Sequence, residues 1–313
     1  MPDGAEGVGF RISRANPIFR LWFTLRRAAI GAYRNNCLGL AKGAAYSALL
    51  AFFPVLTTLT AILIQANADS VSRSLSNLVF EVVPPGTEEI VRYNFTERGQ
   101  RPFYVLVLAT LLALWAASGV MVTLMQGFQA AYEVKDKRSI VRQRLMAIAL
   151  AIFTATPVVA ASALMVFGER IERMAITSLG VLPEGEQLKG WISFLTSLSR
   201  YVAAFAGFVL GTAMLYRFGP DYRGKLRNVW PGAVLATVLW WLTTGGFGWY
   251  VRNIANYNVL YGTVGAVAAL MVWMYLLSII ALIGCQFNAE RERMSSAGLV
   301  ANRKLPEQHP ASP

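Results

Sequence analysis

The sequence predicts an all-α fold: a polytopic membrane helix bundle with six transmembrane helices plus short amphipathic helices. Three observations carry this. Of 313 residues, 55% are hydrophobic and 15% charged, and the mean hydropathy is +0.45, whereas soluble chains carry about 25% charged residues. Six apolar stretches reach the roughly 20 residues that a helix needs to cross hydrocarbon about 30 Å thick. The alternation of barrel strands, roughly ten residues long, is absent, which leaves helices as the way to satisfy the backbone in lipid.

Composition also excludes whole classes. Hydrophobicity this high excludes disorder, and two cysteines, Cys37 and Cys285, exclude a disulfide scaffold. The single histidine, His309, lies in a Pro-flanked tail, which argues against Ser-His-Asp, Cys-His and His-ligated zinc chemistry. No catalytic residue, cofactor site or metal-ligand set is read, and the expectation is a protein that is not an enzyme.

The spans follow in order. The first, 38–64, carries Lys42 near its start; the second, 103–125, and the third, 145–168, carry no charge. The fourth, 192–216, contains Arg200, the fifth, 229–250, is rich in Trp and Gly, and the sixth is 264–287. Around this domain lie a basic segment, 1–37, and a tail, 288–313. The net charge of +12 is distributed by topology. Residues 1–37, 126–144, 217–228 and the tail hold nineteen Lys/Arg against eight Asp/Glu, while 65–102, 169–191 and 251–263 hold eight against nine. Lys and Arg accumulate on the cytoplasmic side, so both termini are expected inside. The localisation that follows is a membrane one, multi-pass. No cleavable signal peptide is read, since the apolar run begins only after about 37 residues and is too long for an h-region. Both cysteines fall at cytoplasmic helix ends, where free thiols are expected.

Asn16-Pro17 is a good helix start. Beyond it Ile18, Leu21, Trp22, Leu25, Ala28 and Ala29 recur at helical spacing, with Arg20, Arg26, Arg27 and Arg34 on the polar side. This reads either as an amphipathic helix contacting anionic lipid through those arginines or as a positive flank without specific lipid contact. On the other side, Val71, Leu75, Leu78, Val79 and Val82, and then Ile171, Met174, Ile176 and Leu179, form short apolar stripes. They suggest a cap over the bundle or helices resting on the outer leaflet.

Small residues let helices approach closely: Gly207 with Gly211, Gly43 with Ser47, Gly232 with Ala236, and Gly245, Gly246 and Gly248. Packing within one chain and a dimer seam are both open for them. Pro54, Pro157 and Pro231 fall in the first, third and fifth spans, where proline can kink a helix.

A charge at membrane depth marks a site or snorkels. Lys42 is close enough to the interface to snorkel. Arg200 lies either a third of the way into its span or at the outer interface. No Asp or Glu falls within a span, which weighs against a proton- or cation-coupled carrier. Uncharged polar residues are plentiful: Tyr46, Ser47, Thr57, Thr58 and Thr60; Ser118, Thr123, Gln126 and Gln129; Thr154 and Thr156; Gln286 and Asn288. Convergence of Tyr46, Gln126, Gln129 and Gln286 would make a polar pocket near the cytoplasmic leaflet; otherwise they bond to neighbouring helices and headgroups. The expected pathway or pocket set is Lys42, Tyr46, Pro54, Gln126, Gln129, Arg200, Gln286 and Asn288.

Several motifs in this order resemble the YihY/BrkB family of bacterial inner-membrane proteins. They are Ala44-Ala45-Tyr46 with Phe53-Pro54, Trp115 with Ser118-Gly119, and Gln129-Ala130-Ala131-Tyr132. Leu215-Tyr216-Arg217 with Pro220, Trp230-Pro231-Gly232-Ala233, Tyr257-Asn258 with Tyr261-Gly262, and Trp273, Gly284 and Asn288-Ala289-Glu290 continue the match. It covers nearly all of 17–290. The departure is Cys285-Gln286, where the family typically has Ala-Glu. The resemblance implies six spans with cytoplasmic ends and says little about chemistry. Members have been labelled virulence factor, permease and, by misassignment, ribonuclease BN; with one histidine in a tail, no Asp/His cluster could hold two metals here.

The leading expectation is a transporter or permease of a lipid, an amphiphile or a small solute. The alternative is a non-transporting scaffold in envelope biogenesis. Membrane lipids are the expected partners, envelope proteins join them in the second reading, nucleic acid is not expected, and a homo-oligomer is left open without being indicated. Reporter fusions test the topology: at Gly86, Gly185 and Asn256 they should read outside and at Lys225 inside, and a reversed signal at any of them overturns the six-span arrangement.

Overall fold

A computed structural model describes residues 17–65, 103–134, 138–178, 190–222, 228–253 and 262–303. These residues form seven helices: α1 (Pro17–Arg34), α2 (Cys37–Gln65), α3 (Phe103–Tyr132), α4 (Ile140–Ser178), α5 (Gly190–Phe218), α6 (Trp230–Asn253) and α7 (Gly262–Arg303). There are no strands among the described residues. The apolar stripe at 71–82 lies outside them, as does Leu179. Ile171, Met174 and Ile176 instead continue α4, which runs ten residues past the expected end of its span.

Five helices, α2, α3, α4, α5 and α7, contain stretches long and apolar enough to cross a membrane. α6, 24 residues long, is not among these five; it occupies the place of the expected span 229–250. α1 is different in kind, strongly amphipathic and too polar along one side to be immersed in hydrocarbon. It packs at one end of the bundle against α7 and, more lightly, α2.

The topology is a ring. From α2 to α7 each helix packs on the next along the chain, and α7 returns to pack on α2 while also touching α3. Lipid tails are as apolar as Leu, so close van der Waals contact rather than hydrophobic burial holds such helices together. Glycines supply the contact. A Cβ on Gly207 would lie 3.0 Å from the Pro157 carbonyl oxygen, and one on Gly211 3.0 Å from that of Thr154. The GxxxG step of α5 is therefore the α4–α5 crossing inside one chain. Gly43 meets Thr123, and Gly119 meets Ser47, across α2–α3. Gly232 and Gly284 abut so closely that a Cβ on Gly284 would be 2.9 Å from the Gly232 carbonyl oxygen.

Two backbone details end helices where the sequence offers no glycine. Asn36, at φ 52, separates α1 from α2, and Glu133, at φ 56, follows α3; left-handed conformations close helix C-termini, and Asn is the residue after Gly that tolerates them best. Of the three prolines, Pro54 and Pro157 lie inside α2 and α4. Pro231 lies in the fifth span as expected but too near its start to kink it. It is the second residue of α6, where the missing N–H is not needed.

Most hydroxyls in the spans turn back on their own helix. Thr123 donates to Gly119 O at 3.1 Å, Thr154 to Leu150 O at 2.8 Å and Thr156 to Ile152 O at 2.9 Å, while Ser118 donates to Trp115 O at 2.6 Å. This is the back-bonding open to Ser and Thr in helices, and it removes these four from the polar residues that could face a passage.

The crossing predicts unequal effects of two glycine substitutions. Gly207→Leu should destabilise the bundle by about 1–3 kcal/mol, the usual cost of overpacking, read as a lower midpoint in detergent-induced unfolding. Gly245→Ala, where a Cβ would meet nothing within 4 Å, should leave the midpoint unchanged.

Candidate functional site

The polar chemistry collects at one end of the ring, organised by the last part of α7. Val229, just before α6, has no side chain able to cap a helix, and Pro231 has no N–H. Gly232 is among the leading N–H groups that have no partner within the helix. Asn288 reaches across from α7 and supplies it: its Oδ1 accepts from Gly232 N at 2.7 Å, and its Nδ2 donates to Val229 O at 2.9 Å. Asn288 is 1% exposed, and the Gly232–Gly284 contact brings α6 near enough for a short amide to span the gap.

One turn away, Tyr216 is fully buried and donates to Ala281 O at 2.7 Å. Its ring meets Phe128 edge-on at 5.5 Å. Tyr132 stacks on Tyr222 at 4.6 Å, and the Tyr222 hydroxyl donates to Glu292 at 3.1 Å. Burial first, and the hydrogen bond to the Glu292 carboxylate second, push the Tyr222 phenol above its ordinary pKa, so it remains a donor at neutral pH.

Glu290 is 5% exposed and sits between two guanidiniums. Arg27 of α1 approaches at 3.1 Å and Arg293 at 2.8 Å. Arg293 also donates to Ala131 O at 2.8 Å and pairs with Glu133 at 3.0 Å. Arg138 pairs with Asp221 at 3.1 Å, tying the start of α4 to the end of α5. A nearly buried carboxylate is tolerated only when paired and hydrogen-bonded, and Glu290 has both partners.

Gln286, one turn before Glu290, is fully buried. Its Oε1 accepts from Asn35 Nδ2 at 3.0 Å, while its Nε2 has no partner and lies against Gly31 of α1 where a side chain would otherwise project. Gln129 is 5% exposed, and its Nε2 is likewise unpaired.

The expected pocket residues thus divide. Gln129, Gln286 and Asn288 face inward. Tyr46, 57% exposed, Gln126 and Lys42 lie on the outer surface, so Tyr46 and Gln126 do not join the two buried glutamines. Pro54 is partly buried in α2. Arg200 is at the α4–α5 seam: it donates to Ser197 Oγ at 3.1 Å, and its stem covers Gly168. Of the basic set, Arg27 pairs with Glu290, Arg26 lies over the Trp22 ring at 6.0 Å, and Arg34 flanks a groove with both. The side chain of Arg20 is outside the described residues. Both cysteines are free and buried.

Glu290, Glu292, Arg293 and Tyr222 were not singled out as site residues from the sequence. The signal available was the alternation Asn288-Ala289-Glu290-Arg291-Glu292-Arg293 at the end of an apolar helix, where charged residues would otherwise be ascribed to the solvated tail. Among the described residues no three His, Cys, Asp or Glu side chains gather as a metal site would require.

Asn288→Ala should lower stability by about 1–3 kcal/mol, since it leaves a buried donor and acceptor without partners. Arg142→Ala, exposed at the same end, should change it by less than about 0.5 kcal/mol. Thermal unfolding of both variants in one detergent checks the contrast.

Comparison with known proteins agrees with this architecture. The ribonuclease-like protein YfkH of Bacillus subtilis is 31% identical over 271 residues, covering 85% of this chain and 91% of that protein. A UPF0761 membrane protein of Alkalilimnicola ehrlichii is 27% identical over 255 residues, 81% of this chain and 55% of that protein. Another, from Alteromonas mediterranea, is 28% identical over 244 residues, covering 78% and 79%. No solved structure matches. The family described as Virulence factor BrkB matches residues 30–309, and the chain therefore belongs to the BrkB family of multi-pass membrane proteins.

Proposed function

We propose that this bundle is a transporter or permease, moving a lipid, an amphiphile or a small solute across the inner membrane, with the Asn288–Glu290 end facing the cytoplasm. The observation that carries the reading is two buried, unpaired amide donors, Gln129 Nε2 on α3 and Gln286 Nε2 on α7, the latter where α7 meets α1. An unsatisfied buried donor costs about 1–3 kcal/mol, and such a group in a native fold calls for a partner that arrives from elsewhere. A passing polar group on a substrate is one such partner. The charge distribution supports the orientation, since the four Lys/Arg-rich segments flank the helix ends that meet around α7.

Glu290, Glu292 and Asp221 at this end are each engaged with Arg or Tyr partners, and Glu169 and Glu172 lie in the last part of α4, past the expected span 145–168. Coupling to a proton or cation gradient through a mid-membrane carboxylate is accordingly not part of the proposal, nor is nuclease or other enzymatic chemistry.

The test is reconstitution of the full-length chain in liposomes, with fluorescent phospholipid exchange between leaflets and release of entrapped small solutes measured in parallel. Movement of at least one class above protein-free vesicles is expected, with Gln129→Leu and Gln286→Leu each lowering it severalfold while unfolding at wild-type temperature. Absence of movement for every class by a folded protein overturns the reading in favour of a scaffold, which native-membrane crosslinking would then have to supply with reproducible partners.

A further inference from the structure

α1 presents three distinct faces. Thr24, Ala28 and Ala32 are buried, and these small side chains let α1 settle closely against the bundle. Phe19, Trp22 and Tyr33 are half-exposed or more, the aromatic surface of a helix lying at a membrane interface. Between them runs a stripe at i, i+4, i+7, i+11: Phe23, Arg27, Ile30 and Arg34, with Arg26 beside it. This stripe, Gly31 and Glu290 line a groove of about 330 Å³.

The electrostatics of the groove are unequal along its length. Glu290 is already matched by Arg27 and Arg293. Arg26 and Arg34 have no carboxylate partner among the described residues; Arg26 is held over Trp22. The groove therefore offers two guanidiniums without a carboxylate partner among the described residues, beside a neutralised ion pair. Its wall includes Gly31, directly behind which lies the unpaired, fully buried Nε2 of Gln286. Guanidiniums favour phosphate through paired N–H donors, and the apolar walls Phe23 and Ile30 suit the first carbons of an acyl or glycerol unit.

We propose that this groove is a binding site for the phosphate headgroup of an anionic glycerophospholipid, held by Arg26 and Arg34 with its glycerol end against Phe23 and Ile30. A free phosphate would use the same guanidiniums but not the apolar walls or the aromatic face beside them, so the lipid is the occupant. The site is independent of transport: it holds a lipid at the end of the bundle whether or not anything crosses.

The experiment titrates the full-length chain, in a neutral detergent, with dioctanoyl-phosphatidylglycerol, dioctanoyl-phosphatidylcholine and inorganic phosphate, and reads binding by native mass spectrometry. Phosphatidylglycerol should bind at least tenfold more tightly than phosphatidylcholine, with inorganic phosphate failing to displace it at comparable concentration. Arg26→Gln and Arg34→Gln should each weaken phosphatidylglycerol by about fivefold, the contribution expected of one basic residue at a lipid surface. Arg26→Lys, which keeps the charge but not the paired N–H donors, should bind between wild type and Arg26→Gln, and Arg142→Gln, exposed on α4 at the same end, should retain all of the binding. Both groove arginines are replaced without touching the Arg27–Glu290 pair, and unchanged helical circular dichroism verifies the fold. Equal binding of the two lipids, displacement by inorganic phosphate at equal concentration, or an equal loss on Arg142→Gln would overturn the site. Tight binding in a protein that moves nothing in liposomes would retain the site and remove the transport reading.

Discussion

A helix that begins inside a packed bundle has backbone donors with nowhere to go, and the way this chain satisfies those of α6 determines how its end is built. Asn288 gives Gly232 an acceptor and Val229 a donor, both buried. The bond requires α6 and α7 to approach to backbone contact, which is why Gly232 and Gly284 face one another. It also fixes the rotation of α7 about its axis. Once Asn288 points at α6, the helical repeat decides where Gly284, Gln286, Glu290, Glu292 and Arg293 must point.

Those directions account for the remaining contacts at this end. Glu290 emerges toward α1 and takes Arg27; Glu292 takes Tyr222 from the α5–α6 connection; Arg293 takes the end of α3 through Ala131 O and Glu133. A short stretch of one helix thereby holds α1, α3, α5 and α6 in place. The spans need such ties, because lipid supplies no hydrophobic drive for helices to associate. The glycine crossings and this polar end divide the work, the first within the apolar zone and the second outside it.

How far the residues could be read in advance depended on which kind of information each required. The six spans, the amphipathic α1 and the segregation of Lys and Arg are properties of successive residues, and they were legible. The GxxxG step at Gly207 was legible as a contact but not as to partner, since small residues serve an internal seam and a dimer seam alike. Arg200 was ambiguous because its depth depends on where α5 begins; with that helix starting at Gly190 it packs on Gly168 and Ser197. Tyr46 and Gln126 were grouped with Gln129 and Gln286 by their position along the membrane normal. Depth alone says nothing of azimuth, and these two lie on the outer surface.

By itself, the sequence determined that this protein is a membrane bundle of six spans with a basic amphipathic helix at its head. Hydropathy, helical period and charge sum along a chain without reference to neighbours. Only the tertiary structure decided which polar groups face inward, that Glu290 and Arg293 belong to the bundle rather than to a solvated tail, and that Arg26 and Arg34 flank a groove while Arg27 between them is committed to an ion pair. Each of these depends on the rotation of one helix against another, set by contacts between residues up to 263 positions apart, and no local pattern encodes such a rotation.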